Sequence, residues 1–500
     1  MASGSANDGL TRREMLAGSL LVGTAACAHP LEPASDARAG PPPMGEASAS
    51  ALARAIREGQ LSSEELVRAC LDRIAAVDDR LNAVVQVVAE DALARARTAD
   101  AALKRGEGRG PLHGVPMTVK DSFDTAGVVT TGGTKGRAGF VPREDATVVR
   151  RLKQAGAILL GKTNTPELTL GFETSNLVYG RTSNPYDLER TPGGSSGGAA
   201  AIVAAGGSPF DVGSDYGGSI RLPCHFCGLA GLKPTMGRVP RTGHVFPFGG
   251  LLDSAHQIGP IARWVEDLSL LLPLLSGPDF VDPAIVPMPL GDPASVRLPS
   301  LRIAFHTDNG IATPTAATRD TVRAAADLLA AAGAEVDEAR PAGIEESFSL
   351  AMRIYFADGG LAVRRLLDEA GTREHTLAGL VGAAPLTPRQ LDAVVTEWYA
   401  LRSRMSRFLE GYDVVLGPVN AQPAMLHGTA MLPENAPSFS YTMVYNLTGW
   451  PAVAVRAGSS PEGLPIGVQL AARPAREDVA LAVAAALEDG LGGFRPPALG

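Results

Sequence analysis

Two clusters of glycines and hydroxyls within residues 191–223 mark where this chain could do chemistry. They read Gly193-Gly194-Ser195-Ser196-Gly197-Gly198 and Asp215-Tyr216-Gly217-Gly218-Ser219-Ile220-Arg221. Glycines at this density let the backbone approach another group closely and take dihedrals that other residues resist. A hydroxyl held among them becomes a nucleophile once a neighbouring base takes its proton. Ser219 is the first candidate, and acyl transfer is the chemistry. Two shorter matches point elsewhere and lack their context. Residues 156–163 fit the phosphate-loop pattern, which needs a strand before it and a helix after it; here the residues between Gly156 and Gly161 are themselves the strand. Residues 193–197 fit GxSxG, the nucleophile elbow, with Ser195 as nucleophile. An elbow sits on a tight strand-to-helix turn, whereas residues 184–192 are loop-forming, and nothing around the downstream His427 suggests a catalytic turn.

A longer set of matches runs in order along the chain. It comprises the two clusters, the second extended to Pro223, with Gly231-Leu232-Lys233-Pro234-Thr235 and Gly259-Pro260-Ile261-Ala262-Arg263. Before them come Gly114-Val115-Pro116-Met117-Thr118-Val119-Lys120-Asp121 and Gly161-Lys162-Thr163-Asn164, and after them Asn446-Leu447-Thr448-Gly449-Trp450-Pro451. Together these resemble the amidase signature family, over nearly all of residues 48–488. The resemblance implies Ser219 as nucleophile, Ser195 as proton relay and Lys120 as base, with a cis peptide at Gly194–Ser195 and no metal or cofactor. It also implies an oxyanion hole made by the backbone N–H groups of Tyr216, Gly217, Gly218 and Ser219. Gly194, Ser196, Asp215 and Arg221 would support the site, the last two as an ion pair bracing the loop. A lysine serves as a base only where desolvation leaves its amine neutral. Lys120 follows the apolar run 115–119, so burial suits it; the bland alternative is a surface pair with Asp121. Position 216 departs from the pattern, carrying Tyr where Ile, Thr or Ser is commoner, and a phenol there would narrow or line the acyl pocket. Leu416-Gly417-Pro418 is a smaller departure.

The elements that must hold these residues alternate. Residues 62–65 carry a capping box, Ser62 to Glu65, opening a helix with Leu66, Cys70, Ile74 and Val77 on one face. Strands are expected at 82–88, 115–119, 157–160, 301–305, 335–338, 413–416 and 452–455. Helices are expected at 90–104, 145–154, 315–332 (closed by Gly333) and 477–488, and residues 346–409 read as largely helical. This is the pattern of an α/β layered fold in one large domain; the family resemblance implies a central mixed twisted β-sheet covered by helices on both faces.

Apolar residues make up 45% of the 500, enough for a large core, and the net charge of −8 with no basic block argues against nucleic acid as a partner. Four cysteines do not make a disulfide framework in a chain this long. Cys224 and Cys227 have CxxC spacing without a second ligand pair, which favours packing over metal or redox use. Arg12-Arg13 precedes a short apolar run ending at Ala28, the form of a twin-arginine export signal over 1–28, too short for a stable membrane span. Residues 26–28 fit a cleavage site; lipidation of Cys27 is the alternative. Residues 29–47 then form a Pro-rich linker before a hydrolase domain over 48–500. The expected location is periplasmic or extracellular, or cytoplasmic if the signal reading fails. The expected partners are water and a small amide, ester or carbamate, with a homodimer left open. Phe246, Phe248, Tyr355 and Phe356 either line an apolar pocket or are core. Three other functions stay open: a glutamyl-tRNA amidotransferase-like subunit, an α/β-hydrolase acting through Ser195, and a non-catalytic binding protein.

Overall fold

Short strands buried on both faces build the centre of the molecule. The computed structural model describes residues 43–108, 110–250 and 253–499; the expected leader at 1–28 and residues 29–42 of the expected linker lie outside them. The strands are β1 Val84–Val87, β2 Pro116–Lys120, β3 Ile158–Thr163, β4 Ser175–Asn176, β5 Gly180–Arg181, β6 Phe210–Asp215 and β7 Ala230–Lys233. They continue with β8 Gln257–Ala262, β9 Arg302–Phe305, β10 Glu335–Glu338, β11 Val414–Pro418, β12 Ala452–Ser459 and β13 Pro465–Ala472. Eight of them form one sheet in the order β10-β9-β11-β13-β12-β7-β8-β6. β9 runs parallel to β10 and β11, while the other ladders are antiparallel, so the sheet is mixed.

Both faces of this sheet are covered. Val453 and Val455 of β12 join Leu470 of β13 against Val322 and Leu329 of helix Ala316–Ala331 and Val479 of helix Glu477–Leu491. The intervening Ala452 packs with Tyr445 and Trp450, and Ala454 with Cys224. Alternate residues of one strand therefore enter different cores, which is why β12 reads as a continuous apolar run. A smaller sheet, β1-β3-β2, abuts β6 without a shared ladder. The Asp211 carboxylate stitches them, accepting from the Lys120 backbone N–H at 3.0 Å and from Thr163 Oγ1 at 3.1 Å. That stitch fixes the end of β2, and Lys120 is its last residue.

Local signals place most elements. The Ser62–Glu65 capping box forms, and helix Ser63–Leu81 buries Leu66, Cys70, Ile74 and Val77. The phosphate-loop match is strand β3. The region 346–409 is three helices, Ser347–Tyr355, Leu361–Glu369 and Pro388–Phe408. Gly359 and Gly360 break the first join at positive φ, and a Thr387 capping box with Pro388 restarts the last. Strand β13 carries Pro465 and Gly467, which read as turn residues, and sequence patterning placed no strand there. Residues 46 and 47, inside the expected linker, are tied to the fold. Trp264 Nε1 donates to the Glu46 carbonyl at 2.7 Å and Arg263 to the Ala47 carbonyl at 2.9 Å. Among the described residues no helix is long and apolar enough to cross a membrane.

Candidate active site

Lys120 has no exposed surface, and its ammonium end finds only hydroxyls. Nζ lies 2.6 Å from Ser195 Oγ, 3.0 Å from Ser196 Oγ and 3.0 Å from Ser214 Oγ. Burial pushes its pKa down to about 7, against the attraction of Asp211 and Asp215, which favours the ammonium. A neutral amine has two N–H groups and one lone pair, so three hydroxyls exhaust its valences. The alternative pairing with Asp121 does not occur: Asp121 is buried, accepts from Thr131, and lies 3.8 Å from Lys162. Ser195 and Ser196 are delivered by the turn before helix Gly197–Ala204. The Gly194–Ser195 peptide is cis. Gly194 is needed for space, since a Cβ there would stand 2.7 Å from the Gly171 carbonyl oxygen.

The second cluster follows β6 directly. Ser219 is 5% exposed, and the Ser196 N–H donates to its carbonyl at 3.2 Å, tying the two clusters together. Among the described residues no hydrogen bond joins Ser219 Oγ to Ser195 Oγ. The loop is braced by Asp215 and Arg221, both fully buried. Arg221 donates from Nε and Nη2 to the two carboxylate oxygens at 3.1 and 3.0 Å, and further to Gln469 Oε1 and Asn446 Oδ1. Burial alone would raise the Asp215 pKa, but Arg221 and Asn446 together hold it well below the usual carboxylate range. Of the four expected oxyanion donors, Gly218 is a correction. Its N–H is already committed to Asp215 Oδ1 at 2.8 Å, because the carboxylate folds back under the turn. The N–H groups of Tyr216, Gly217 and Ser219 have no acceptor among the described residues. Gly218 still has a steric reason to be glycine: φ is +125°, and a Cβ would meet Thr442 Oγ1 at 2.3 Å. Carbonyls on the other side of the loop are held by Tyr355 Oη at 2.7 Å from Tyr216 O and Thr442 Oγ1 at 2.6 Å from Gly217 O.

Sequence reasoning missed Ser214, Asp211 and His244. Ser214 sits beside Asp215 in the second cluster and was legible as a hydroxyl near the site; Asp211 and His244 carried no local signal. His244 Nε2 is 3.1 Å from Ser214 Oγ. Burial, reinforced by His256 and Lys120, pushes the His244 pKa well below the usual imidazole range. His427 instead bonds the Leu188 carbonyl at 3.1 Å. Cys224 and Cys227 are buried thiols in the packing behind the loop.

The sequence profile of the family described as Amidase matches residues 65–481. The chain belongs to the amidase signature family. A glutamyl-tRNA(Gln) amidotransferase subunit of Moorella thermoacetica (strain ATCC 39073 / JCM 9320) is 39% identical, covering 88% of this chain and 96% of its own. Fatty-acid amide hydrolase 2-B of Danio rerio is 35% identical over 91% of each. Among solved structures, 6-aminohexanoate cyclic dimer hydrolase complexed with substrate superposes with a TM-score of 0.81 at 30% identity, covering 91% of this chain and 99% of its own. This amidase is accordingly an enzyme of carbon–nitrogen bond hydrolysis.

A cavity of about 170 Å³ opens on Ser219 of the amidase. Leu170, Phe172, Phe348, Met352, Val363 and Met443 form much of its wall, with Tyr216 at one side. None of the residues around it is Asp, Glu, Lys or Arg. Tyr355 and Phe356 line it, so these two aromatics belong to a pocket rather than to core alone; Phe246 and Phe248 line a separate cavity of about 530 Å³ that also reaches Tyr355. Tyr216 leans on Tyr355, centroids 4.2 Å apart with the rings tilted by 33°, and faces Phe246 at 6.3 Å. The phenol at position 216 thus stands between the two cavities.

Proposed function

We propose that this amidase hydrolyses amides whose acyl group is apolar, through an acyl-enzyme on Ser219. The uncharged cavity at Ser219 is the observation that carries this reading. Neutral Lys120 takes the Ser195 proton as Ser195 takes that of Ser219, and Ser219 Oγ attacks the carbonyl carbon. The N–H groups of Tyr216, Gly217 and Ser219 are the available donors for the developing oxyanion; each such donor is typically worth roughly 2.7–4 kcal/mol of barrier. Ser195 returns the proton to the leaving nitrogen as the C–N bond breaks, and water attacking through the same relay releases the acid. The test is a fluorophosphonate label mapped by peptide mass, with a panel of anilides, esters and carbamates of graded acyl length. Labelling at Ser219 and preference for apolar acyl anilides are expected. Labelling at Ser195 instead would overturn the assignment.

A second reading is favoured by the relative at 39% identity, whose name is that of an amidotransferase subunit. In that role this chain would release ammonia from an amide donor such as glutamine. Free glutamine carries an ammonium and a carboxylate at neutral pH, and burying either unpaired is costly. The lining at Ser219 offers neither counter-charge. Glutaminase activity exceeding anilide turnover would favour the amidotransferase reading. Export through residues 1–28 belongs with the hydrolase reading and a cytoplasmic location with the amidotransferase; cell fractionation decides between them.

A further inference from the structure

His244 stands outside the two serines and the lysine, yet it is one hydroxyl removed from the base. Its Nε2 lies 3.1 Å from Ser214 Oγ, which lies 3.0 Å from Lys120 Nζ. The other ring nitrogen faces Phe246, whose backbone N–H points at Nδ1 from 3.1 Å. A backbone N–H can only donate, so Nδ1 carries the lone pair and Nε2 the proton. The longer contact, Nδ1 to the Phe246 carbonyl at 3.3 Å, would need the opposite tautomer and would set two N–H groups against each other. Packing holds the ring in place. Phe123 meets it edge-on with centroids 5.0 Å apart, His256 lies at 4.5 Å, and only 6% of the residue is exposed.

We propose that His244 is a positioning residue for the Lys120 base, its Nε2–H holding Ser214 Oγ and aiming the positive end of that dipole toward Nζ. The proposal rests on Lys120 acting as the base. A hydroxyl that already accepts from His244 is a poorer acceptor for an ammonium, so the contact favours the neutral amine that can take the Ser195 proton. The other charges around Nζ pull differently. Asp211 and Asp215 favour the ammonium, and Asp215 is already claimed by Arg221. Behind His244, the neighbouring His256 has no hydrogen-bond partner at either ring nitrogen among the described residues. Arg241 adjoins both histidines and is neutralised by Asp253 and Asp282. His244 is thus the ring with a defined donor directed at the site.

The test is the acid limb of the kcat/KM–pH profile for wild type, His244→Phe, His244→Met and His244→Gln, with Lys120→Ala as control. Phe and Met lack the donor; either, if folded, reads the effect, and Gln keeps an N–H within reach of Ser214. The expected result is a limb displaced upward by about half to one pH unit in Phe and Met. Activity would then be roughly three- to tenfold lower on the acid side and nearly normal on the alkaline side. Gln should restore the wild-type limb. A limb that stays put in Phe or Met, or a loss uniform across pH, overturns the proposal and leaves His244 a packing residue. If Lys120→Ala retains turnover, the base assignment itself has failed, whatever the His244 variants do.

Discussion

The lysine end of the site and the acyl cavity are built on opposite rules. Around Lys120 the buried surroundings are polar and charged: three hydroxyls on Nζ, Asp211 on the backbone, and Asp215 locked by Arg221 and Asn446. Across Ser219 the wall is apolar and offers almost nothing to hydrogen-bond. The first region comes from strand ends and the tight turns after them, and a small change there leaves a buried charge or donor unpaired. The second comes largely from helices Ser347–Tyr355 and Leu361–Glu369 and from the segments around Phe172 and Met431, where a change alters only shape. On the proposed reading, chemistry is concentrated in one region and selection of the acyl group in the other.

Breaking the polar side should cost most. Ser219→Ala is expected to lower anilide turnover by at least about 10³-fold and to abolish fluorophosphonate labelling, with folding intact by circular dichroism. Lys120→Ala should fall by roughly 10²–10⁴-fold. Near wild-type rates in either variant would remove the scheme. Arg221→Leu acts on stability as well as on rate, because it leaves the buried Asp215 carboxylate without its cationic partner. A loss of roughly 3–5 kcal/mol in denaturant unfolding is expected, the usual result of breaking a buried pair from one side. A loss within the range of a surface substitution would mean that the pair does not brace the loop.

The same polarity sets a pH dependence whose sign follows from the lysine. Only the neutral amine can accept a proton, and burial brings the Lys120 pKa down to about 7. Activity should therefore rise through about pH 7 and level off above it. Activity that falls as pH rises through this range would point to a group working in its protonated form.

Much of the polar side was legible and most of the cavity was not. The two clusters are short contiguous motifs whose glycines and hydroxyls point to acyl transfer at Ser219, and the resemblance to the amidase signature family is what singled out Lys120 and gave Ser195 and Ser196 their expected places before any coordinates. What escaped were groups recruited by tertiary contact. His244 reaches the site because its ring packs between Phe123 and His256, and Asp211 because it joins two sheets. The commitment of the Gly218 N–H to Asp215 escaped for the same reason: side-chain direction in a turn is not encoded by spacing. In the fold, amphipathic helices and the Ser62–Glu65 capping box were plain, whereas β13 was hidden by Pro465 and Gly467. The cavity wall draws on residues nearly three hundred positions apart in the chain, from Thr169 to Met443, and periodicity cannot tell a pocket-lining aromatic from a core one.

The smallest effect is expected on the apolar side, and it separates selection from chemistry. Val363 is 4% exposed and lines the cavity. Val363→Phe adds volume there without touching Lys120, Ser195 or the oxyanion loop. KM for a long-chain acyl anilide should rise roughly tenfold, the range that a methylene or two of misfit imposes on an apolar pocket. KM for an acetyl anilide, and kcat for both, should stay close to wild type. A selective loss on the longer acyl group assigns the cavity to the acyl chain. An equal loss on both substrates would mean that the larger ring disturbs the Tyr216–Tyr355 contact in the same cavity wall. A loss that follows the size of the amine rather than of the acid would assign this cavity to the leaving group and move the acyl chain elsewhere.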